Sequence, residues 1–291
     1  MSRLARLFLF IIAGSLVSSC SYTFYPNTCK YPQSHLLIRK TVISIDLDET
    51  SGLVAMDDSF LSMNDSGGEP ALYEFDSEGI ILKKYHIPSI RNMDWEALAE
   101  DALYYYIADV GNNFGDRDTL YIYKIPKRCD FNLPDTSTFE RISIRFNEIT
   151  SRNQQGWYSH DCEAMFVFKD SIYLFAKDWV SKNTRIYVLP VIAGHYDLKA
   201  RKRYDVDALI TGADIDPLRK EVVLVGYRNF YPVLIRYNFI DDPAIIECGG
   251  KARFFPLHSA QQVEGVSYDS KGRIYITAEK TAYKQALYRA Y

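Results

Sequence analysis

The chain of 291 residues is poor in the residue types that build most zinc and cofactor sites. It contains five histidines and five cysteines, and no two cysteines lie close enough together to form a zinc site. Neither a phosphate-binding loop nor a dinucleotide-binding fingerprint occurs. The sequence therefore gives no basis for a zinc protein, a P-loop enzyme or a Rossmann-type dehydrogenase.

An excess of charge of one sign is also lacking. The 34 basic and 37 acidic side chains leave a formal net charge of −3, so neither a nucleic-acid partner nor attraction to an anionic membrane surface is predicted. No convincing amphipathic helix pattern is found after residue 40, where short strands alternate with turns. Aromatic residues make up 14% of the chain, including 23 tyrosines, and this composition favours β-strands.

The first twenty residues are predicted to be a targeting segment and not part of the fold. Arg3 and Arg6 precede an apolar run over residues 7–17, which is shorter than the roughly 20 residues needed to span a bilayer. The run ends in VSSC, which resembles a bacterial lipobox. This predicts a signal peptide over 1–19 and a lipid on Cys20, with an ordinary secretory signal as the alternative.

Two details predict where the anchored protein lies. Ser21 follows the cysteine in place of the aspartate associated with inner-membrane retention, which favours the outer membrane. Residues 22–25 lack the acidic run linked to surface display, so the protein is expected to face the periplasm of a bacterial envelope, with residues 20–40 as a tether. This compartment is oxidising, and three disulfide pairings of the remaining cysteines are possible, although Cys162 fits a buried apolar position better. These cysteines are Cys29, Cys129, Cys162 and Cys248.

Five copies of one short motif recur along the chain. Each copy has a small or acidic residue, then Gly or Ala, and in most copies a large apolar residue. A polar turn and a strand rich in aromatic and β-branched residues follow. Repeats of several strands at intervals of about 40–50 residues are typical of a β-propeller. The copies begin at Ser51, Glu96, Glu163, Thr211 and Glu264.

Four strands per repeat divide residues 41–291 into an all-β, five-bladed β-propeller, with six blades or a β-sandwich as the alternatives. The fifth blade is one strand short, so a strand over 41–46 is expected to complete it and remove an exposed sheet edge. Insertions over 127–139 and 148–160 account for the long second interval. The other predicted strands are 51–56, 59–65, 71–76, 80–87, 96–100, 103–109, 119–126, 140–147, 163–168, 171–177, 185–190, 197–206, 211–216, 221–227, 232–238, 251–257, 264–269, 273–279 and 285–291.

Polar side chains from all five repeats are predicted to converge on one face of the propeller, because inner strands start there and second strands end there. Carboxylates dominate this set, and their crowding would either raise several pKa values or favour a bound cation. Oxygen ligands without a His–Cys cluster favour calcium, with magnesium second. A network of ion pairs among the acids and neighbouring bases is the alternative.

The ends of the second strands and two loops rich in Gly and Asn, over 64–70 and 108–113, are predicted to bind a ligand. Cations contributed by different blades would suit a phosphate or carboxylate group. The alternative is that these long side chains neutralise acidic neighbours. The predicted ligand-binding residues are Asp65, Asp109, Asn112, Arg117, Lys177, Arg228 and Lys280.

Several stretches are specific enough to compare with known families. MNDSGGEPALYEFD, the DWEAL and ADVGNN elements, and QVEGVSYDSKGRIYITAEK resemble secreted bacterial propellers of the SdiA-regulated and esterase-like phytase groups over roughly 45–291. The order of the SGL, EAL, HDCEAM and EGVS elements is similar to that of calcium-activated apyrases, which are five-bladed propellers. That likeness implies an axial calcium near Ser51, Glu96, Glu163 and Glu264. Most intervening residues depart from the apyrase pattern, which argues against nucleotidase activity.

Three functions follow as hypotheses from these patterns. The first is a lipid-anchored propeller that binds a ligand, with a divalent cation, and does not turn it over. The second is a calcium-dependent hydrolase of a phosphorylated or ester substrate, and the third is a docking platform in an envelope complex. No catalytic residue is predicted, because nothing in the spacing supports a Ser51–His160–Asp161 triad.

Overall fold

The computed structural model describes residues 38–128, 139–148, 156, 158–229, 231–245, 251–254 and 261–290. The predicted signal peptide, Cys20 and the tether as far as residue 37 lie outside the described residues. So do Cys29, Cys129 and Cys248, and most of both predicted insertions. None of the described segments forms a helix with the length and apolarity that crossing a bilayer requires.

The described chain is almost entirely β-structure. A short 3-10 helix, Ile45–Leu47, interrupts the strands. The strands, in chain order, are β1 (Ile38–Val42), β2 (Thr50–Ala55), β3 (Phe60–Asn64), β4 (Ala71–Phe75), β5 (Ile81–His86), β6 (Trp95–Glu100), β7 (Tyr104–Asp109), β8 (Leu120–Pro126), β9 (Glu140–Phe146), β10 (Asp161–Phe168), β11 (Ser171–Lys177), β12 (Thr184–Pro190), β13 (Gly194–Leu198), β14 (Lys202–Tyr204), β15 (Leu209–Asp216), β16 (Glu221–Arg228), β17 (Tyr231–Asn238), β18 (Lys251–Phe254), β19 (Val263–Tyr268), β20 (Ile274–Ala278) and β21 (Ala286–Ala290).

These strands form five small sheets, and the sheets form a closed ring. The inner strands β2, β6, β10, β15 and β19 each contact the next one, and β19 contacts β2 again. Five apolar clusters fill the spaces between neighbouring blades, so each sheet buries both faces. The prediction of a five-bladed β-propeller is confirmed. Cys162, in β10, is a free and fully buried thiol within one of these clusters.

The first strand closes the ring as predicted, although its position differs. β1 pairs antiparallel with β21, from Ile38 opposite Ala290 to Val42 opposite Ala286. The predicted bounds of 41–46 were therefore three to four residues too late. The chain leaves the sheet at Ile43, and the Ser44 side chain accepts a hydrogen bond from the Asp46 amide, which caps the 3-10 helix.

The outer edge of blade three also differs from the prediction. The strand predicted over 197–206 is two strands, and only β14 pairs with β12 in blade three. β13 instead runs parallel to β9 and becomes a fifth strand of blade two. An unpaired edge exposes backbone hydrogen-bonding groups, so β13 covers the edge of blade two and joins it to blade three.

The recurring sequence motif coincides with a β-bulge in every inner strand. In blade two, Trp95 pairs with Asp109 and Ala97 pairs with Ala108, which leaves Glu96 as the extra residue. A bulge bends its strand and redirects the side chain at that point. The first motif residue is the extra one in four of the inner strands, and in blade one the register shift lies one step later, between Ser51 and Val54.

The small second residue of the motif is explained by the close approach of the next blade. A Cβ atom on Gly52 would lie 2.5 Å from the Leu98 backbone nitrogen, and one on Gly212 would lie 2.6 Å from the Glu264 carbonyl oxygen. In the same region the Ser51 hydroxyl donates to the Glu96 carbonyl across the blade boundary, at 2.8 Å. The motif therefore holds neighbouring inner strands together.

We expect Gly52→Ala to destabilise the protein much more than Gly67→Ala. Both glycines have a positive φ, +69° and +70°, but a Cβ atom on Gly67 would meet no other atom within 4 Å. Both variants carry the cost of an unfavourable backbone conformation, about 1 kcal/mol. Gly52→Ala adds a steric conflict with the next blade, about 1–3 kcal/mol more. Urea unfolding measures both, and equal losses would contradict this packing account.

A candidate cation and ligand site at the propeller axis

A cavity of about 340 Å³ lies on the axis, at the face where the inner strands begin. Its lining comes from all five blades and is strongly acidic, and Lys177 supplies the basic group of the lining. The aromatic side chains are Phe114, Trp179 and Tyr227, and the carboxylates are Asp65, Glu96, Glu163, Glu264 and Glu279.

The bulges explain why acidic side chains reach this cavity from strands that are otherwise apolar. Glu96, Glu163 and Glu264 each occupy the extra position of a bulge, and all three line the cavity. Ser51 reaches the lining from blade one. The four residues predicted near an axial cation are thus brought together around one space. Their role in binding a metal stays a prediction.

Three carboxylates form the tightest acidic group in the described part of the chain. Asp65, Asp94 and Glu96 each place one oxygen within 4.8 Å of the others. Among the described residues no hydrogen bond reaches the Asp94 or Glu96 carboxylate, although Glu96 is only 5% exposed. Gly111 makes room for them, since its Cβ would lie 2.3 Å from Asp94 Oδ2 and 2.4 Å from Glu96 Oε1.

Burial and mutual repulsion disfavour the charged forms of these acids. Desolvation, reinforced by Asp65 and Asp161, raises the pKa of Asp94 to about 7. Burial also raises the pKa of Asp65 to about 6 and that of Glu264 to about 7. Desolvation, together with the Glu264 charge, raises the pKa of Glu279 to about 9. Near neutral pH the cavity therefore holds protons that a bound cation could replace.

The charge of Lys177 is already paired with a carboxylate of the protein. Its ammonium donates to both carboxylate oxygens of Glu163, at 2.7 and 2.5 Å. Burial alone would lower the pKa of Lys177, but the nearby Glu163 charge raises it well above its usual value. The nitrogen also lies 4.8 Å from the centre of the Trp179 ring and 5.4 Å from that of Tyr227.

Three of the predicted ligand-binding residues lie behind the acidic group and not in the cavity lining. Arg117 donates to Asp109 Oδ1 at 2.6 Å and to the Gly111 carbonyl at 2.7 Å. The Asn112 side chain bonds the Arg117 backbone through both its oxygen and its nitrogen. This network fixes the loop that carries Gly111, so its observed contacts position the acidic group.

The other predicted residues divide between the cavity and the surface. Asp65 and Lys177 line the cavity. Arg228 forms an ion pair with Asp207, and Lys280 forms one with Asp48, and neither cation lies in the cavity lining. The assignment of all seven residues to ligand contact remains a prediction.

The Ser51–His160–Asp161 triad is not assembled. His160 is fully buried, with its two ring nitrogens 2.7 Å from Ser159 Oγ and 3.0 Å from Glu148 Oε2. Asp161 Oδ1 accepts from the Asn112 amide and Oδ2 from the Trp179 indole. Ser51 donates to the Glu96 carbonyl, so each of the three residues is bonded outside this set.

Two features of the lining were missed by sequence reasoning. Trp179 directly follows Asp178 at the end of a second strand, where side chains were expected to converge, so its position was a usable signal. Phe114 lies beyond the ADVGNN element, and no periodic pattern marks it. Both residues line the cavity, and Phe114 is 49% exposed.

Comparisons with known proteins give similar solved structures but no family. No protein-family profile matches the chain, and no curated protein matches its sequence. Similar solved structures include a streptogramin B lyase, at 9% identity and a TM-score of 0.46 over 88% of this chain and 98% of that one. The aldose sugar dehydrogenase of Streptomyces coelicolor, in its PQQ-bound form, has 10% identity and a TM-score of 0.49 over 89% and 99%. The calcium-binding protein regucalcin of Agrobacterium tumefaciens has 10% identity and a TM-score of 0.44 over 86% and 92%. These neighbours are β-propellers.

We expect the protein in a chelating buffer to lose stability as pH rises from about 4 to about 9. The folded state keeps protons on Asp94, Glu264 and Glu279 at pH values where the unfolded chain has released them. Stability falls with rising pH wherever the folded state binds more protons. Glu279→Gln should flatten this dependence between about pH 5 and 9, while Glu78→Gln, at an exposed turn, should not. Melting temperatures at constant ionic strength test this, and parallel curves for both variants would contradict it.

Proposed function

We propose that the chain is a binding protein of the bacterial cell envelope whose axial cavity takes up a divalent cation together with a ligand. The observation that carries the cation is the group Asp65, Asp94 and Glu96. Two of its carboxylates have no hydrogen-bond partner among the described residues, and both lie against Gly111, where a Cβ atom would have no room. Burying such charges without compensation is costly, and a cation would compensate them.

The donor set fits calcium best, with magnesium second. Calcium takes six to eight oxygen ligands in a flexible arrangement, and carboxylates are its usual protein ligands. No histidine or cysteine lines the described cavity, which disfavours zinc and copper. Asp65, Asp94 and Glu96 would hold the ion, and oxygens of water or ligand would complete its coordination.

This assignment changes the predicted set of metal ligands. Glu96 is retained, and Asp65 moves from the ligand-binding set to the metal set. The Ser51 hydroxyl already donates to the Glu96 carbonyl, and the Glu163 carboxylate already accepts from Lys177. Glu264 faces the same cavity but is not part of the close group. We therefore propose that these three residues shape the cavity and do not ligate the ion.

Calcium should bind the chelator-treated protein, and Glu96→Gln should weaken that binding by about tenfold or more. The amide keeps the size of the side chain but removes one anionic ligand, and a charged contact of this kind is worth about 1.5–3 kcal/mol. Isothermal titration calorimetry with calcium and with magnesium measures the affinities, and thermal shift provides a second readout.

The matched control for this experiment is Glu100→Gln. Glu100 ends the same strand β6 and is paired with Lys127 far from the cavity, so the variant should bind calcium like the parent protein. An equal loss in both variants would indicate a general defect. The cation proposal is wrong if the parent protein shows neither binding heat nor a thermal shift.

We also propose that Cys20 carries the lipid that holds the protein in the envelope. The lipobox-like VSSC sequence supports this assignment. Cells fed a radiolabelled fatty acid should label the parent protein but not Cys20→Ser, and the variant should leave the membrane fraction. Cys162→Ser, which removes a buried thiol, is the control and should keep both label and membrane association. Unlabelled parent protein would show that the segment is an ordinary secretory signal.

A further inference from the structure

An aromatic wall borders the axial cavity beside the acidic group. Trp179 is half-buried in this wall, and its indole nitrogen donates to Asp161 Oδ2 at 3.1 Å. Asp161 is itself fully buried and accepts from the Asn112 amide at 2.8 Å. The ring of Trp179 is therefore held in one orientation by the protein, and Phe114, which is about half exposed, adds a second ring.

The contacts of the cations at this face disfavour a negatively charged ligand. Lys177 bonds both oxygens of Glu163, and Arg117 bonds Asp109. Arg228 and Lys280 form ion pairs outside the cavity lining, with Asp207 and Asp48. The proposed divalent cation would be balanced by its own three carboxylate ligands. A phosphate or carboxylate group would thus still meet several carboxylates and no uncompensated cation from this set, and like charges at short range repel.

The same contacts disfavour an organic ammonium at the aromatic wall. An ammonium group is favoured above an aromatic ring and beside a carboxylate. Lys177 already takes that position, with its nitrogen above Trp179 and Tyr227 and bonded to Glu163. An amine would have to displace this buried lysine from its carboxylate.

We infer that the cavity binds an uncharged, hydroxyl-rich ligand of sugar size, which packs against the part of Trp179 that Lys177 leaves exposed and donates hydroxyl hydrogen bonds to Glu264 and Glu279. Hydroxyl groups donate well to carboxylates, and the apolar face of a sugar ring packs on an aromatic ring. The Gln262 amide, 3.4 Å from Glu264 Oε1, adds a donor to this rim. A volume of about 340 Å³ lies in the range of small-molecule sites.

This inference rests on the proposed function, because it names the ligand class of the same cavity. The two are separable, since calcium binding depends on Glu96 and stacking depends on Trp179. A free sugar and the end of a surface glycan are both uncharged and rich in hydroxyl groups. Soluble monosaccharides and immobilised oligosaccharides therefore form two arms of one experiment, which also tells these sources apart.

The test screens the purified protein, in calcium, against a glycan array and a panel of soluble monosaccharides. Spermidine and inositol hexakisphosphate serve as cationic and anionic probes. The best saccharide is then titrated by calorimetry and by tryptophan fluorescence. We expect Trp179→Ala to weaken its binding by about tenfold, the equivalent of about 1.4 kcal/mol for a lost stacking contact. Trp179→Phe should restore most of the affinity.

Tyr231→Ala removes an exposed aromatic side chain outside the cavity lining and should leave saccharide binding unchanged. Calcium affinity should persist in Trp179→Ala, which separates loss of the stacking surface from misfolding. The inference is overturned if no saccharide binds, if the charged probes bind instead, or if Trp179→Ala and Tyr231→Ala bind alike. If calcium binds but no saccharide does, this inference is wrong and the proposed cation binding is still supported.

Discussion

The close packing of five inner strands around one axis is the constraint on which the rest of this structure depends. Neighbouring strands approach so closely at the motif that Gly52 and Gly212 have no room for a side chain. Each strand has a bulge at the motif, and in three blades the extra residue of the bulge is a glutamate that lines the axial cavity. The architecture and the acidic cavity are therefore two results of one local geometry.

Much of the fold could be predicted, because its signals are local and recur. The strands, their turns and the motif recur together in each repeat. Strand pairing within each blade follows from the short connections between consecutive strands. The exceptions are pairings between strands that are far apart in the sequence. β13 reaches across to blade two, and nothing in the residues of 194–198 marks that destination. The start of β1 was also misplaced, because a strand pattern shows alternation better than it shows where pairing begins.

The candidate site was predictable in position and less so in chemistry. The sequence indicated that Glu96, Glu163 and Glu264 would converge, and they line one cavity. It could not show that Glu163 is engaged by Lys177, or that Asp94 and Glu96 have no hydrogen-bond partner among the described residues. Such pairing depends on the side-chain directions that the bulges set and on the space at Gly111. These three-dimensional details decide whether a carboxylate can ligate a cation or is the counter-ion of a basic side chain.

The pairing of β1 with β21 sets the order in which the molecule can be completed. The strands come from the two ends of the propeller chain, so β1 cannot join blade five until β21 is available. Closing so long a loop is entropically costly and slow compared with forming a hairpin. Four blades can therefore assemble while the chain is still emerging, but the ring cannot close until it is complete. A chain cut short near its C-terminus would leave β1 without its partner and expose an unpaired strand edge to other chains.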